Sequence, residues 1–175
     1  WGVFGLHTPH QRTFTGEDVN FIQNVANVLA TAIRHANHER ELRLFRQAVE
    51  ASGHSIYFTD ETGVIEYVNP AFEEITGYSE AEAVGSTPSI LKSGVHSNKY
   101  YRTLWSTILA GETWHNEITN ETKTGERYVA DQTIAPVMSE SGEIDHFVAV
   151  NAEITEKVRF MHKCRSLHGI TQDIV

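Results

Sequence analysis

The chain has 175 residues, 40% of them apolar, enough for one well-packed domain or for one domain and a fragment. It carries 23 acidic against 14 basic residues, a formal charge of −9 that argues against nucleic-acid binding through a basic surface. A single cysteine, Cys164, rules out an internal disulfide and fits a reducing, cytoplasmic compartment, and no run reads as a membrane span or a signal peptide.

Residues 1–6 alternate like a strand and begin at Trp1 in mid-pattern, so the chain is expected to be a piece of a larger protein. Thr15 and Asp18 have capping-box spacing, and from Val19 the apolar residues Ile22, Val25, Ala26, Leu29 and Ile33 recur with helical period. Residues 35–52 contain no Pro or Gly and continue the stripe through Leu42, Phe45 and Val49. The spacing therefore predicts one helix of about 35 residues from Asp18, roughly 50 Å long. A long helix with one apolar stripe needs a partner surface. Pairing with its copy in a second chain, as a homodimeric coiled coil, is the preferred expectation, and folding back onto the chain's own sheet is the alternative.

Residues 59–85, TDETGVIEYVNPAFEEITGYSEAEAVG, read as strand, tight turn, strand, short helix, Gly stop and second helix. Ile56 and Phe58 lead into a turn over 60–63, where Gly63 can take positive φ. In the next strand Val64, Glu66 and Val68 are expected to oppose Ile65 and Tyr67. Asn69 is placed to cap the helix that Pro70 starts, Gly77 to end it, and Ser79 with Glu82 to form a capping box. Residues 86–94 read as irregular. Ser97 then opens a helix with Tyr101, Leu104, Trp105 and Ile108 on one face, stopped by Gly111. Strands are predicted over 114–120, 128–137 and 145–153, joined by short turns at Gly125 and Gly142 as an antiparallel meander. A helix is predicted over 157–167, interrupted by Gly169 and restarting over 170–175.

The run over 59–85 closely resembles the opening of a PAS sensor domain, and ETKTGERYVADQTIAPVMSESGEIDHFVAVNAEITEKV resembles the strands and terminal motif that close one. The resemblance covers residues 46–158. It implies an α+β fold, a five-stranded antiparallel sheet with helices on one face around a small pocket, preceded by the long helix. GLHTPHQRTFTGEDVNFIQNVANVLATAIRHA resembles the last strand and helix of a GAF domain. The expected organisation is thus a GAF fragment over 1–36, a helical linker over 37–52, the PAS domain over 46–158 and an output connector over 159–175. Glu153, Ile154 and Thr155 resemble the Asp-Ile-Thr motif through which PAS domains pass their signal to the next helix, with Glu in place of Asp.

The pocket is the candidate site. A period of two puts Trp114, Asn116, Ile118 and Asn120 on one strand face, and Gln132 beside Ala130 on the next. The SILKSG run, the Leu104-Trp105 pair and the downstream Asn with APV are most similar to flavin-binding PAS domains of nitrogen-fixation-type redox regulators. That resemblance implies FAD or FMN, with Trp105 and Asn120 at flavin-contacting positions. An indole offers a stacking face, and an amide can pair with the donor and acceptor edge of a flavin. Several positions depart. Pro88 stands where those regulators carry a carboxylate and light-sensing relatives carry the photoadduct cysteine, so that photochemistry is excluded. Tyr57 replaces a small polar residue, Ala130 a second amide and Asn151 a glutamine. Buried Gln132 wants a partner, which points to a polar ligand or to waters.

Haem is the weaker cofactor expectation: haem-binding relatives place an axial His on or near the helix that here opens at Ser97, and only His96 lies close to it. The pairs His7/His10 and His35/His38 and the group His162, Cys164 and His168 lack the further ligands of a zinc site and read as solvated. His38-Glu39 resembles a phosphoacceptor dipeptide but precedes the PAS region, and no catalytic triad, carboxylate pair or phosphate loop is present. The chain is expected to be no enzyme. It reads as a sensory segment of a histidine kinase or related regulator that relays a small ligand or redox cofactor to a downstream output domain. The alternative is a ligand-free dimerisation and relay module.

Overall fold

The computed structural model describes residues 15–170. The described residues fall into two units, one up to Ala48 and one from Val49. The strand expected over 1–6 and the helical restart beyond 170 lie outside the described residues.

Helix α1, Gly16–Glu50, has 35 residues, the length its periodicity predicts. Ile33, Leu42 and Phe45 of the apolar stripe are all more than half exposed (59%, 57% and 64%). Among the described residues no helix is long and apolar enough to cross a membrane.

The second unit is built on a five-stranded antiparallel sheet in the order β2-β1-β5-β4-β3. Its strands are β1 Ser55–Asp60, β2 Ile65–Val68, β3 Trp114–Glu121, β4 Arg127–Met138 and β5 Ile144–Glu153. Between β2 and β3 come α2 Pro70–Thr76, α3 Glu80–Ala83, a 3-10 turn Pro88–Leu91 and α4 Asn98–Leu109, and α5 Thr155–Ile170 follows β5. The turn after β1 forms because the Asp60 carboxylate accepts from the Thr62 and Val64 N–H groups at 2.9 and 2.8 Å while Gly63 takes φ 88°. These bonds to Val64 and Thr62 lower the Asp60 pKa.

The simple alternation expected of β2 does not hold. The β1–β2 register shifts between Phe58 and Thr59, and Ile65 and Val68 both face the core (1% and 4% exposed) while Glu66 is exposed. A bulge inserts one residue, and side chains beyond it change face. Helix α2 starts and stops as its sequence dictates, with Asn69 Oδ1 accepting from Phe72 N–H at 3.1 Å and Gly77 at φ 76°. The Glu82 carboxylate accepts from Ser79 N–H at 3.1 Å, completing the capping box of α3. Helix α5 does not break at Gly169 but continues to Ile170.

The core lies between the inner sheet face and helices α2 to α4, with Phe72, Ile65 and Ile108 at its centre. Strand β4 buries alternate residues Tyr128, Ala130, Gln132 and Ile134, so a polar amide is carried into an apolar interior.

Candidate functional site

A cavity of about 340 Å³ lies inside this unit, at the small end of the range of about 300–1,000 Å³ typical of ligand sites. The sheet supplies its floor. Tyr57 of β1, Asn120 of β3 and Gln132 of β4 line it among apolar neighbours. Helix α4 covers it through Leu104, Trp105 and Ile108, and the 3-10 turn adds Pro88 at its edge.

Trp105 is only partly covered (39% exposed) although it shares a helix face with buried Leu104 and Ile108. Its indole meets Phe147 edge-on at 6.1 Å between centroids and reaches across to the β1–β2 turn, where a Cβ on Gly63 would come within 2.8 Å of it. Gly63 is therefore favoured by its positive φ, and a side chain there would also displace the edge of the indole.

The polar floor forms a line across three strands. Gln132 Nε2 donates to Asn151 Oδ1 at 2.8 Å and to the Tyr57 hydroxyl at 3.4 Å, and Asn151 Nδ2 donates to the Ser55 carbonyl at 3.4 Å. Gln132 Oε1 is buried and has no hydrogen-bond partner among the described residues. A buried acceptor left unpaired costs about 1–3 kcal/mol. Burial pushes the Tyr57 phenol far above its ordinary value, with Tyr128 adding to the effect, so the hydroxyl stays protonated. Burial likewise raises Tyr128 to about 12, against the opposing bond from Asn120.

Of the expected site residues, Tyr57, Trp105, Asn120 and Gln132 are brought to one cavity. Trp114 is not. It sits at the start of β3, packed edge-on against Tyr100 at 5.5 Å and away from the cavity wall. Ala130 also lies outside the lining, whereas Pro88 is part of it. Glu153, Ile154 and Thr155 stand at the β5–α5 junction. The Glu153 carboxylate accepts from Thr155 N–H at 2.9 Å, Ile154 N–H donates to the Val129 carbonyl at 2.8 Å, and Thr155 Oγ1 accepts from Val129 N–H at 2.9 Å. The start of α5 is thus bonded on both sides of one β4 residue, three positions before Gln132.

Sequence reasoning missed how residues 92–96 fasten the cavity edge. Lys92 bridges to Asn120, Ser93 Oγ donates to the Thr119 carbonyl, and His96 Nε2 accepts from Thr119 N–H at 2.8 Å. Strand β3 is a sheet edge, and these side chains occupy its outward groups at Thr119. His96 stacks on Tyr100 at 4.1 Å. Its engaged nitrogen faces Thr119, and no histidine lines the cavity, a donor set that does not suit an axial haem ligand. His35 pairs with Glu39 at 3.4 Å along α1. His7 and His10 and the side chains of His162, Cys164 and His168 fall outside the described residues.

Only neutral His96 can accept the Thr119 bond, and burial lowers its pKa. With the folded value depressed, the contribution is present above the unfolded value of about 6.5 and is lost as pH falls below it. Denaturant midpoints measured from pH 7.5 down to 5.5 are expected to fall more steeply for the wild type than for His96→Gln, whose amide does not titrate there. Parallel declines would show that His96 is not the clamp.

A family model for the PAS fold matches residues 43–153. The nitrogen fixation regulatory protein of Klebsiella pneumoniae is 31% identical over 140 residues, which cover 80% of this chain and 28% of that protein. A blue-light-activated histidine kinase of Brucella anthropi is 28% identical over 123 residues, covering 69% of this chain and 25% of the kinase. Among solved structures, that of an RNA-binding light-oxygen-voltage receptor superposes with a TM-score of 0.65 at 23% identity, over 74% of this chain and 37% of its own; at that identity the likeness concerns the fold. The chain spans about a quarter of the length of these curated relatives.

Proposed function

Because the chain belongs to the PAS fold family, we propose that it is the sensory segment of a larger regulator, whose cavity takes a flat cofactor of the flavin class. The observation that carries this reading is the convergence of Trp105, Asn120, Tyr57 and Gln132 on one cavity, with a buried Gln132 acceptor that has no partner among the described residues. An indole and two amides suit a heterocycle with an alternating donor and acceptor edge, so FAD or FMN is the leading ligand. A bound flavin would supply a ring whose hydrogen-bonding edge changes with its redox state. Asn120 and Gln132 would orient that edge, and Trp105 would limit access of water to it.

The relay follows the sheet. Gln132 is bonded to Asn151, which stands two residues before Glu153, and Glu153 caps α5. A change in the hydrogen bonds of Gln132 therefore reaches the start of the output helix through one strand. A ligand drives such a shift only by its difference in affinity for the two states. In this reading residues 1–36 end a GAF domain, 37–52 link it to the sensor over 46–158, and 159–175 lead to an output domain, in a cytoplasmic histidine kinase or related regulator. The chain's own part is sensory and not catalytic. The exposed stripe of α1 supports pairing with a second copy.

A ligand-free relay module is the second reading. It is favoured by the Tyr57 and Asn151 side chains, which already occupy the donor side of Gln132. A visible absorption spectrum before and after adding FMN or FAD separates the two. Asn120→Ala should lose flavin uptake while its circular dichroism stays that of the wild type; undiminished uptake by the variant would overturn the site assignment.

A further inference from the structure

Lys92 is the one residue of the cavity lining that carries a full charge, and no carboxylate lines the cavity. In a chain of net charge −9 this is a local reversal of sign. Lys123, Arg127 and Arg159 each pair with a glutamate, but among the described residues no carboxylate pairs with the Lys92 ammonium. It lies instead over the ring of Tyr101, 4.5 Å from the centroid, and Tyr101 lines the same cavity. The base of its side chain is fixed. Lys92 N–H donates to the Ser89 carbonyl at 3.1 Å, its backbone bridges to Asn120, and the following residues are fastened to Thr119.

We propose that the cavity takes an organic anion, with an apolar or aromatic body among Leu104, Ile108, Ile134 and Phe147 and a carboxylate, phosphate or sulfonate group beside Lys92. The inference rests on the reading of the cavity as a ligand site. It adds the charge and the position of the charged group. A wall without carboxylates removes the repulsion that the rest of this acidic chain would offer, and a lysine held at the rim keeps its hydration when no ligand is bound. Thr87 and Ser89, from the same turn, bring hydroxyls to the lining as further donors to an anionic oxygen.

The test uses two probes of one shape, the anionic 8-anilinonaphthalene-1-sulfonate and the neutral N-phenyl-1-naphthylamine, titrated by fluorescence into the full chain. Lys92→Met should weaken the sulfonate roughly fivefold, as for a rim ion pair, and leave the neutral probe unchanged, while Lys92→Arg restores the sulfonate. Equal effects on both probes, no effect on the sulfonate, or no binding of either probe would overturn the proposal. Parallel titration with riboflavin and FMN keeps the flavin reading separate. Flavin uptake with equal affinity for the two, unchanged in Lys92→Met, would retain a flavin site and overturn the anion site. Lys92-dependent sulfonate binding without flavin uptake would do the reverse.

Discussion

Replacing Asn69 by alanine is expected to remove about 3–5 kcal/mol of folding stability. Asn69 is fully buried and makes four hydrogen bonds. Its Oδ1 accepts from Ile56 N–H at 2.8 Å and Phe72 N–H at 3.1 Å, and its Nδ2 donates to the carbonyls of Val49 at 3.0 Å and His54 at 2.9 Å. One amide therefore joins the segment before β1, β1 itself and the first turn of α2. Alanine would leave two N–H groups without their acceptor and two carbonyls without their donor, in space that water reaches poorly. Since small domains hold only about 5–15 kcal/mol in total, this loss is a large share of the domain's stability. Asn69→Asp keeps the acceptors, loses the donors and sets a carboxylate against two carbonyls, so it should also destabilise. Urea midpoints for both variants give the measurement, and a loss under about 1 kcal/mol for Asn69→Ala would show that relaxation or water replaces the amide.

Phe72→Ala should cost about 3–5 kcal/mol through cavity formation. Phe72 is fully buried in α2, and its ring meets Tyr57 edge-on, with centroids 6.0 Å apart and an interplanar angle of 77°. Tyr57 in turn lines the cavity and accepts from Gln132. Truncating Phe72 removes the support behind the phenol, so ligand affinity should fall together with stability. Urea unfolding with an unchanged m-value and a lowered midpoint would be the expected signature. A loss well under 2 kcal/mol would mean that α2 collapses into the space.

What the sequence disclosed was mostly local. Asn69 before Pro70, Gly77 after the helix and Ser79 three residues before Glu82 announce helix ends within a few positions, and each is found where expected. The period of two placed Gln132 inward on β4 because that strand runs without a bulge through its buried half. The same rule failed on β2, where the bulge opposite Phe58 and Thr59 moves Ile65 and Val68 to one side. Bonds that span the fold were not legible. Asn69 reads as a cap, yet two of its four bonds reach residues 20 and 15 positions earlier. Trp114 has the strand face expected of a cavity residue, but Tyr100, from the first turn of α4, meets its ring edge-on and holds it in the core instead of the cavity wall. Lys92 carried no signal of its own in the SILKSG run, because its place at the cavity rim depends on a bridge to Asn120, 28 positions on.

The most direct test of a ligand-sensing cavity is a titration of the wild-type chain into FMN, followed by the visible difference spectrum and by quenching of flavin fluorescence. The account predicts saturable binding at one site per chain, with resolved vibrational structure in the flavin band as the ring leaves water. A flavin spectrum unchanged at all protein concentrations would contradict the flavin reading, with Gln132 held by Tyr57 and Asn151 and no flavin to engage it.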